Sequence, residues 1–184
     1  MADQGKKQVL IETAFALFNE FGFHATGIDT IMRESGVSKT TLYKYFRTKD
    51  ELILAVLKYR HAQLEQSLQG AIDDAISQQP NADSSVHALS VFDGLAEWFN
   101  SPQFYGCNFI NASAEFSQHN HPIHQYADFH KRWIMSFVAK VLGKGHESLA
   151  QQLSLLMDGA IVAAHVRGDK SAAETAKAIA QKLI

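Results

Sequence analysis

Residues 35–52 read S-G-V-S-K-T-T-L-Y-K-Y-F-R-T-K-D-E-L, and they hold most of the local signals that decide the fold. Gly36 is the residue type that a tight turn with a left-handed backbone requires. Ser38 follows at the position of a helix N-cap, and Leu42 and Phe46 lie four apart on one side of the short helix it opens. Thr48 to Glu51 has the S/T-x-x-E spacing of a capping box and starts a longer helix. Upstream, Ile28, Ile31 and Met32 mark another short apolar helix, and Thr26-Gly27-Ile28-Asp29 reads as its capping box with Asp in place of Glu. Two short helices joined at Gly36 have the spacing of a helix-turn-helix, in which the second helix puts its N-terminal residues at base edges. Val37, Leu42 and Phe46 lock that second helix to the first and leave Lys39, Thr40, Tyr43 and Lys44 outside.

Those residue types suit DNA. Lysines neutralise phosphates and release counterions. Hydroxyls of Ser, Thr and Tyr bond phosphate oxygens and set register. The methyls of Thr40 and Thr41 can pack on thymine, and Lys39 can reach guanine O6/N7. Lys49 lies in the first turn of the next helix, where backbone N–H groups favour an anion. Charge agrees: residues 1–60 hold nine Lys/Arg against seven Asp/Glu, and residues 61–184 hold eight against twelve. A basic patch on a mildly acidic chain is a footprint for phosphates.

The stretch F-N-E-F-G-F-H-A-T-G-I-D-T-I (residues 18–31), followed by residues 35–52, resembles the N-terminal signature of the tetracycline-repressor (TetR/AcrR) family of bacterial transcription regulators. The resemblance covers about residues 8–57. It implies DNA contacts at Thr26, Ser38, Lys39, Thr40, Thr41, Tyr43, Tyr45 and Lys49, to which Lys44 is added from its outward position. Two positions depart from the commonest pattern. Gly27 stands where a second Ser or Thr often follows Thr26, and Thr40 stands where many members carry Gly. The resemblance predicts an all-α fold with a three-helix DNA-binding domain over residues 1–50 and a helical ligand-binding and dimerisation domain over 51–184.

Outside the signature, Leu10, Ala14, Leu17, Phe18 and Phe21 give a first helix that Gly22 stops. The fourth helix is expected to bury Leu52, Val56, Tyr59 and Ala62 and to run to about Ile76. Gln78 to Ser85 is the clearest break in the chain. Helical segments follow at about 86–100, 106–117, 123–142, 147–166 and 171–183, the last opened by a capping box at Ser171 to Glu174.

G-C-N-F-I-N-A-S-A-E-F (106–116) and L-L-M-D-G-A-I-V-A-A-H-V (155–166) resemble a ligand-domain helix and the final dimer helix of the family. The resemblance places a homodimer contact on 123–142 and 147–166. Gly159, Ala160, Ala163 and Ala164 allow close helix approach there, and Phe129, Trp133, Phe137 and Val141 form a stripe at steps of four. A palindromic operator on double-stranded DNA needs two recognition helices and therefore a dimer. Trp98, Phe99, Phe104, Cys107, Phe109, Phe116, Tyr126 and Trp133 are the candidates for a pocket taking a small apolar or aromatic effector. The expected function is a repressor released from its operator by that effector.

The alternative is a helical metal-binding or redox-sensing protein using the nine histidines or Cys107. Q-H-N-H-P-I-H at 118–124, with Asp128 and His130, invites a metal, but Pro122 breaks the run and no Cys or Glu completes a ligand set. Cys107 is expected at a helix start, where a thiolate is stabilised. No cofactor or metal is assigned. No Ser-His-Asp, Gly-rich phosphate loop or HExxH pattern marks an enzyme. The N-terminus has no secretory segment, and no apolar run approaches the ~20 residues of a membrane span, so a cytoplasmic protein is expected.

Overall fold

The computed structural model describes residues 2–184, with side chains from Gly5 onward. Ten helices and no strand occur among the described residues: α1 (Ala2–Phe21), α2 (Ile28–Ser35), α3 (Lys39–Tyr45), α4 (Lys49–Gln78), α5 (Ser84–Ala88), α6 (Ser90–Asn100), α7 (Asn108–Glu115), α8 (Pro122–Leu142), α9 (Glu147–Arg167) and α10 (Ala172–Ala180). The fold is all-α, as the sequence predicts. The chain forms two compact units, one of residues up to Gln63 plus Cys107–Phe129, the other of Leu64–Gly106 plus His130–Ile184.

In the first unit, Leu10, Ala14 and Phe18 of α1 are buried with Ile31, Val37, Leu42 and Phe46. Phe21, expected in this core, is 56% exposed. Gly22 ends α1, and Phe23 turns back to take the core position, its ring centroid 5.2 Å from that of Phe18. On α4, Leu52, Ile53, Val56 and Leu57 are fully buried. At 100° per residue, that stripe continues through Arg60 and leaves Ala62 on the opposite side. Ala62 is exposed, contrary to the expectation, and Tyr59 is half-buried. The Arg60 guanidinium lies over the Phe15 ring at 5.7 Å.

Gly36 has φ 66° and ψ 12°, the left-handed region, and an added Cβ would meet nothing within 4 Å. Gly36→Ala therefore tests backbone strain without a clash. It is expected to cost about 1–2 kcal/mol, read as a lower urea midpoint with an unchanged slope. Ser38 caps α3 as predicted, accepting from Thr41 N at 3.3 Å. Thr48 likewise accepts from Glu51 N at 3.2 Å, although Glu51 Oε2 reaches back to Arg47 N, at 2.7 Å, rather than to Thr48. Gly27 is the N-cap of α2 and gives no side-chain bond, so the capping box expected at Thr26 does not form.

In the second unit, α10 packs on α9 and α6, and α6 packs on α9. Val91, Phe92, Leu95 and Phe99 of α6 are buried, as are Leu153, Met157, Ala160, Ile161 and Ala164 of α9. The small side chains Ala172, Ala173, Ala176 and Ala180 form the buried face of α10. Ser171 does not cap α10; Asp169 Oδ1 accepts from its N–H and its hydroxyl instead. The break at 78–85 is ordered locally by Asp83, which caps α5 and accepts from Ser85 N at 3.0 Å and Ser85 Oγ at 2.9 Å. Those bonds hold its carboxyl below the usual pKa. The same unit carries a cleft of ≈ 480 Å³ between the end of α4 and α5, α6 and α10, lined by Ala71, Asp74, Leu89, Glu97 and Lys177 among others.

The opposite face of α9 is apolar and uncovered: Leu155 is 74%, Val162 44% and Val166 73% exposed, with Gly159 between them. By length and composition α9 could cross a membrane, which corrects the expectation that no segment comes close. Its other face, however, is buried in the unit, and Asp158 near its middle accepts from Lys131 Nζ at 2.6 Å.

Candidate nucleic-acid interface

The interface is built on α2, the Gly36 turn and α3. Leu42 is the buried residue of α3, and it anchors the helix so that the rest faces out. Lys39, Thr40, Tyr43 and Lys44 are exposed, at positions i, i+1, i+4 and i+5 of one face. The Ser38 and Thr41 hydroxyls are 2.9 Å apart at the start of the helix. Tyr45 is half-buried, with its ring beside Phe46 and Lys44 Nζ above it at 5.8 Å. The exposed face therefore combines ammonium groups, hydroxyls and an aromatic ring, the set that binds phosphates and reads base edges.

Two candidates have other bonds. Thr26 is 3% exposed, and its hydroxyl donates to Gly22 O at 2.8 Å. Its side chain braces the α1–α2 corner. Lys49 Nζ donates to the His24 carbonyl at 3.2 Å. Burial lowers the Lys49 pKa, while the Glu115 and Asp50 carboxylates oppose that shift.

The corner holds a group with no local signal in the sequence. Glu115, at the end of α7, accepts from Phe23 N at 2.9 Å and His24 N at 2.6 Å, and its Oε2 lies 3.0 Å from His24 Nδ1. The Phe116 ring stacks on His24 at 4.6 Å and on His121 at 4.9 Å. His121 Nε2 lies 3.3 Å from Asp50 Oδ2.

An outward second helix of a helix-turn-helix, carrying cations and hydroxyls, defines the class: a DNA-binding regulator. The sequence profile described as bacterial regulatory proteins, tetR family, matches residues 10–56. A structure of SCO4454, a TetR-family transcriptional regulator from Streptomyces coelicolor, is 31% identical, covers 96% of this chain and 87% of that one, and has a TM-score of 0.81. This chain belongs to the TetR family of transcriptional regulators and is a DNA-binding regulator. The HTH-type transcriptional regulator YxaF of Bacillus subtilis is 28% identical over 160 residues, covering 84% of this chain and 80% of that protein. The reduced form of NemR from E. coli shares the fold, with a TM-score of 0.84 at 22% identity over 97% of this chain and 96% of that one.

The effector candidates are shared between the two units. In the second unit, Trp98, Phe99 and Phe104 form one cluster with centroids 4.9–6.0 Å apart, and Trp133 stacks on Phe137 at 5.4 Å. In the first unit, Cys107 and Phe109 are buried, Tyr126 lies 6.5 Å from Phe109, and Phe116 belongs to the corner already described. None of the eight lines the ≈ 480 Å³ cleft.

Nothing favours the metal or redox alternative. His124 Nδ1 is 2.9 Å from the Phe116 carbonyl, and its Nε2 is 2.9 Å from His119 Nδ1. Among the described residues, no three His, Cys, Asp or Glu side chains converge as a metal would require. Cys107 is the N-cap residue of α7 and is 6% exposed.

Proposed function

We propose that this regulator is a repressor that grips a palindromic operator as a homodimer and lets go when a small apolar or aromatic compound binds. The observation that carries this reading is the outward α3 face of Lys39, Thr40, Tyr43 and Lys44. Residues 1–50 supply the DNA-binding surface, and residues 51–184 supply dimerisation and effector binding. The residues assigned to DNA are Ser38, Lys39, Thr40, Thr41, Tyr43, Lys44, Tyr45 and Lys49, with Thr26 holding the corner behind them. The partner that covers Leu155, Gly159, Val162 and Val166 is a second copy. A closed homodimer presents the same patch from both subunits, and these four residues recur at i, i+4, i+7 and i+11. A regulator of this kind works in the cytoplasm and catalyses no reaction.

The test is selection of duplexes from a random pool by the purified protein, followed by salt titration. Enrichment of a two-fold symmetric sequence is expected. Lys49→Ala should weaken binding to all duplexes and reduce the salt slope by about one unit for each phosphate that the lysine no longer neutralises. Lys39→Ala or Thr40→Ala should alter base preference, at about 1–3 kcal/mol for each base edge left unread. Unchanged affinity in all three would remove these assignments.

The effector side is tested by tryptophan fluorescence, because Trp98 and Trp133 are the only two tryptophans. A compound that quenches them should also weaken operator binding, since a ligand shifts the equilibrium only toward the state it binds better. A compound that tightens operator binding would make the protein corepressor-dependent instead.

A further inference from the structure

We infer that Glu115 is the positioning residue that sets the α1–α2 corner for operator binding and hands the state of α7 to the DNA-binding helices. The inference rests on the repressor reading and adds the residue that couples effector to operator.

Both oxygens of the carboxylate are engaged. Oε1 takes the Phe23 N–H, and Oε2 takes the His24 N–H and faces His24 Nδ1. These N–H groups belong to the short turn after α1. Gly22 begins that turn with φ +86°, and an added Cβ there would come within 3.1 Å of Glu115 Oε1. The corner and the carboxylate therefore fit with no room to spare. The next link is Lys49, a DNA-contact candidate, whose Nζ is bonded to the His24 carbonyl. The route from Glu115 to a phosphate-binding group thus passes through one residue. Phe116 stacks between His24 and His121, and His121 meets Asp50 at the start of α4, so the same corner is held from the neighbouring helix as well.

The other end of α7 is tied to α1. Asn108, 4% exposed, donates from Nδ2 to Asn19 Oδ1 at 3.2 Å. Between the two ties, α7 is a rod of eight residues, about 12 Å long. It carries Phe109, and Phe116 follows it; both are effector candidates. A compound that displaces either ring displaces the carboxylate, and with it the corner. An interior packed this closely passes on small shifts rather than absorbing them.

The experiment compares full-length wild type with Glu115→Gln on a selected operator duplex and on an unrelated duplex. Gln keeps the shape of the side chain but offers one acceptor oxygen for two N–H groups. Simple electrostatics predicts tighter binding to both duplexes, because a negative charge is removed. The inference predicts the reverse for the operator: affinity falls about 10-fold, within the usual range of a coupling between sites. Binding to the unrelated duplex should not weaken, and amide exchange at Phe23 and His24 should accelerate at an unchanged thermal midpoint. If the Gln variant fails to fold, Glu115→Asp replaces it. It retains the charge on a shorter arm, and the same loss of selectivity is expected. Operator affinity equal to wild type in a folded variant overturns the inference alone. Wild type that selects no duplex overturns the repressor reading, and this inference with it.

Discussion

A protein carrying Leu155→Glu and Val162→Glu is expected to sediment as a monomer and to lose operator affinity by a factor on the order of 10²–10⁴. The two side chains are 74% and 44% exposed on the same face of α9, so the changes leave the core of the protomer intact. In a two-fold interface each residue occurs twice, and the double variant sets four carboxylates against one another in a dry contact. Burying each of the replaced aliphatic side chains would have contributed roughly 1.5–3 kcal/mol. Loss of the dimer removes the second half-site from reach. The DNA penalty is then the effective concentration that the first bound subunit confers on its mate. Sedimentation velocity and fluorescence anisotropy read the two effects, and circular dichroism should report unchanged helicity. A double variant that stays dimeric would place the interface elsewhere.

Phe18→Ala is expected to cost about 3–5 kcal/mol, the ordinary loss for a large aromatic removed from a packed interior. Phe18 is 2% exposed and lies against Phe23, which is 1% exposed. Both help hold α1 to the corner that carries Thr26 and His24. Typical domains are stable by only ~5–15 kcal/mol, so the variant should melt at a much lower temperature and lose DNA binding in step with folding. Thermal melts followed by far-ultraviolet circular dichroism check this. The pattern differs from that of Glu115→Gln, where selectivity should fall without loss of stability. A Phe18→Ala protein with a wild-type midpoint would mean that its neighbours close the gap.

The readable parts of this sequence are those governed by neighbours a few residues apart. Gly36 and Ser38 fix the turn and the start of α3 through their own backbone and hydroxyl chemistry, and both act as their residue types suggest. Thr48 does the same for α4. Spacing misleads where a polar side chain has a choice. Thr26 has a capping spacing, yet its hydroxyl bonds back to Gly22 O, and the Ser171 hydroxyl donates back to Asp169 Oδ1 instead of capping α10. Apolar periodicity overreaches at helix ends. Phe21 continues the pattern of α1, but Phe23 fills the space once Gly22 has turned the chain. The alanines of α9 suggest a contact between subunits, whereas Ala160 and Ala164 are buried within the second unit. Glu115 cannot be found at all from spacing. Its partners are 91 and 92 residues away, and a lone acid at a helix end carries no mark of what it will meet.

The recognition helix has seven residues, and a single one of them is buried. Helices so short are not stable alone in water, because nucleation costs more than two turns of hydrogen bonds return. A peptide cut from residues 28–46 should accordingly be a random chain with no preference for any operator. Engineers who wish to move this specificity into another scaffold must carry α1 and the start of α4 along with it.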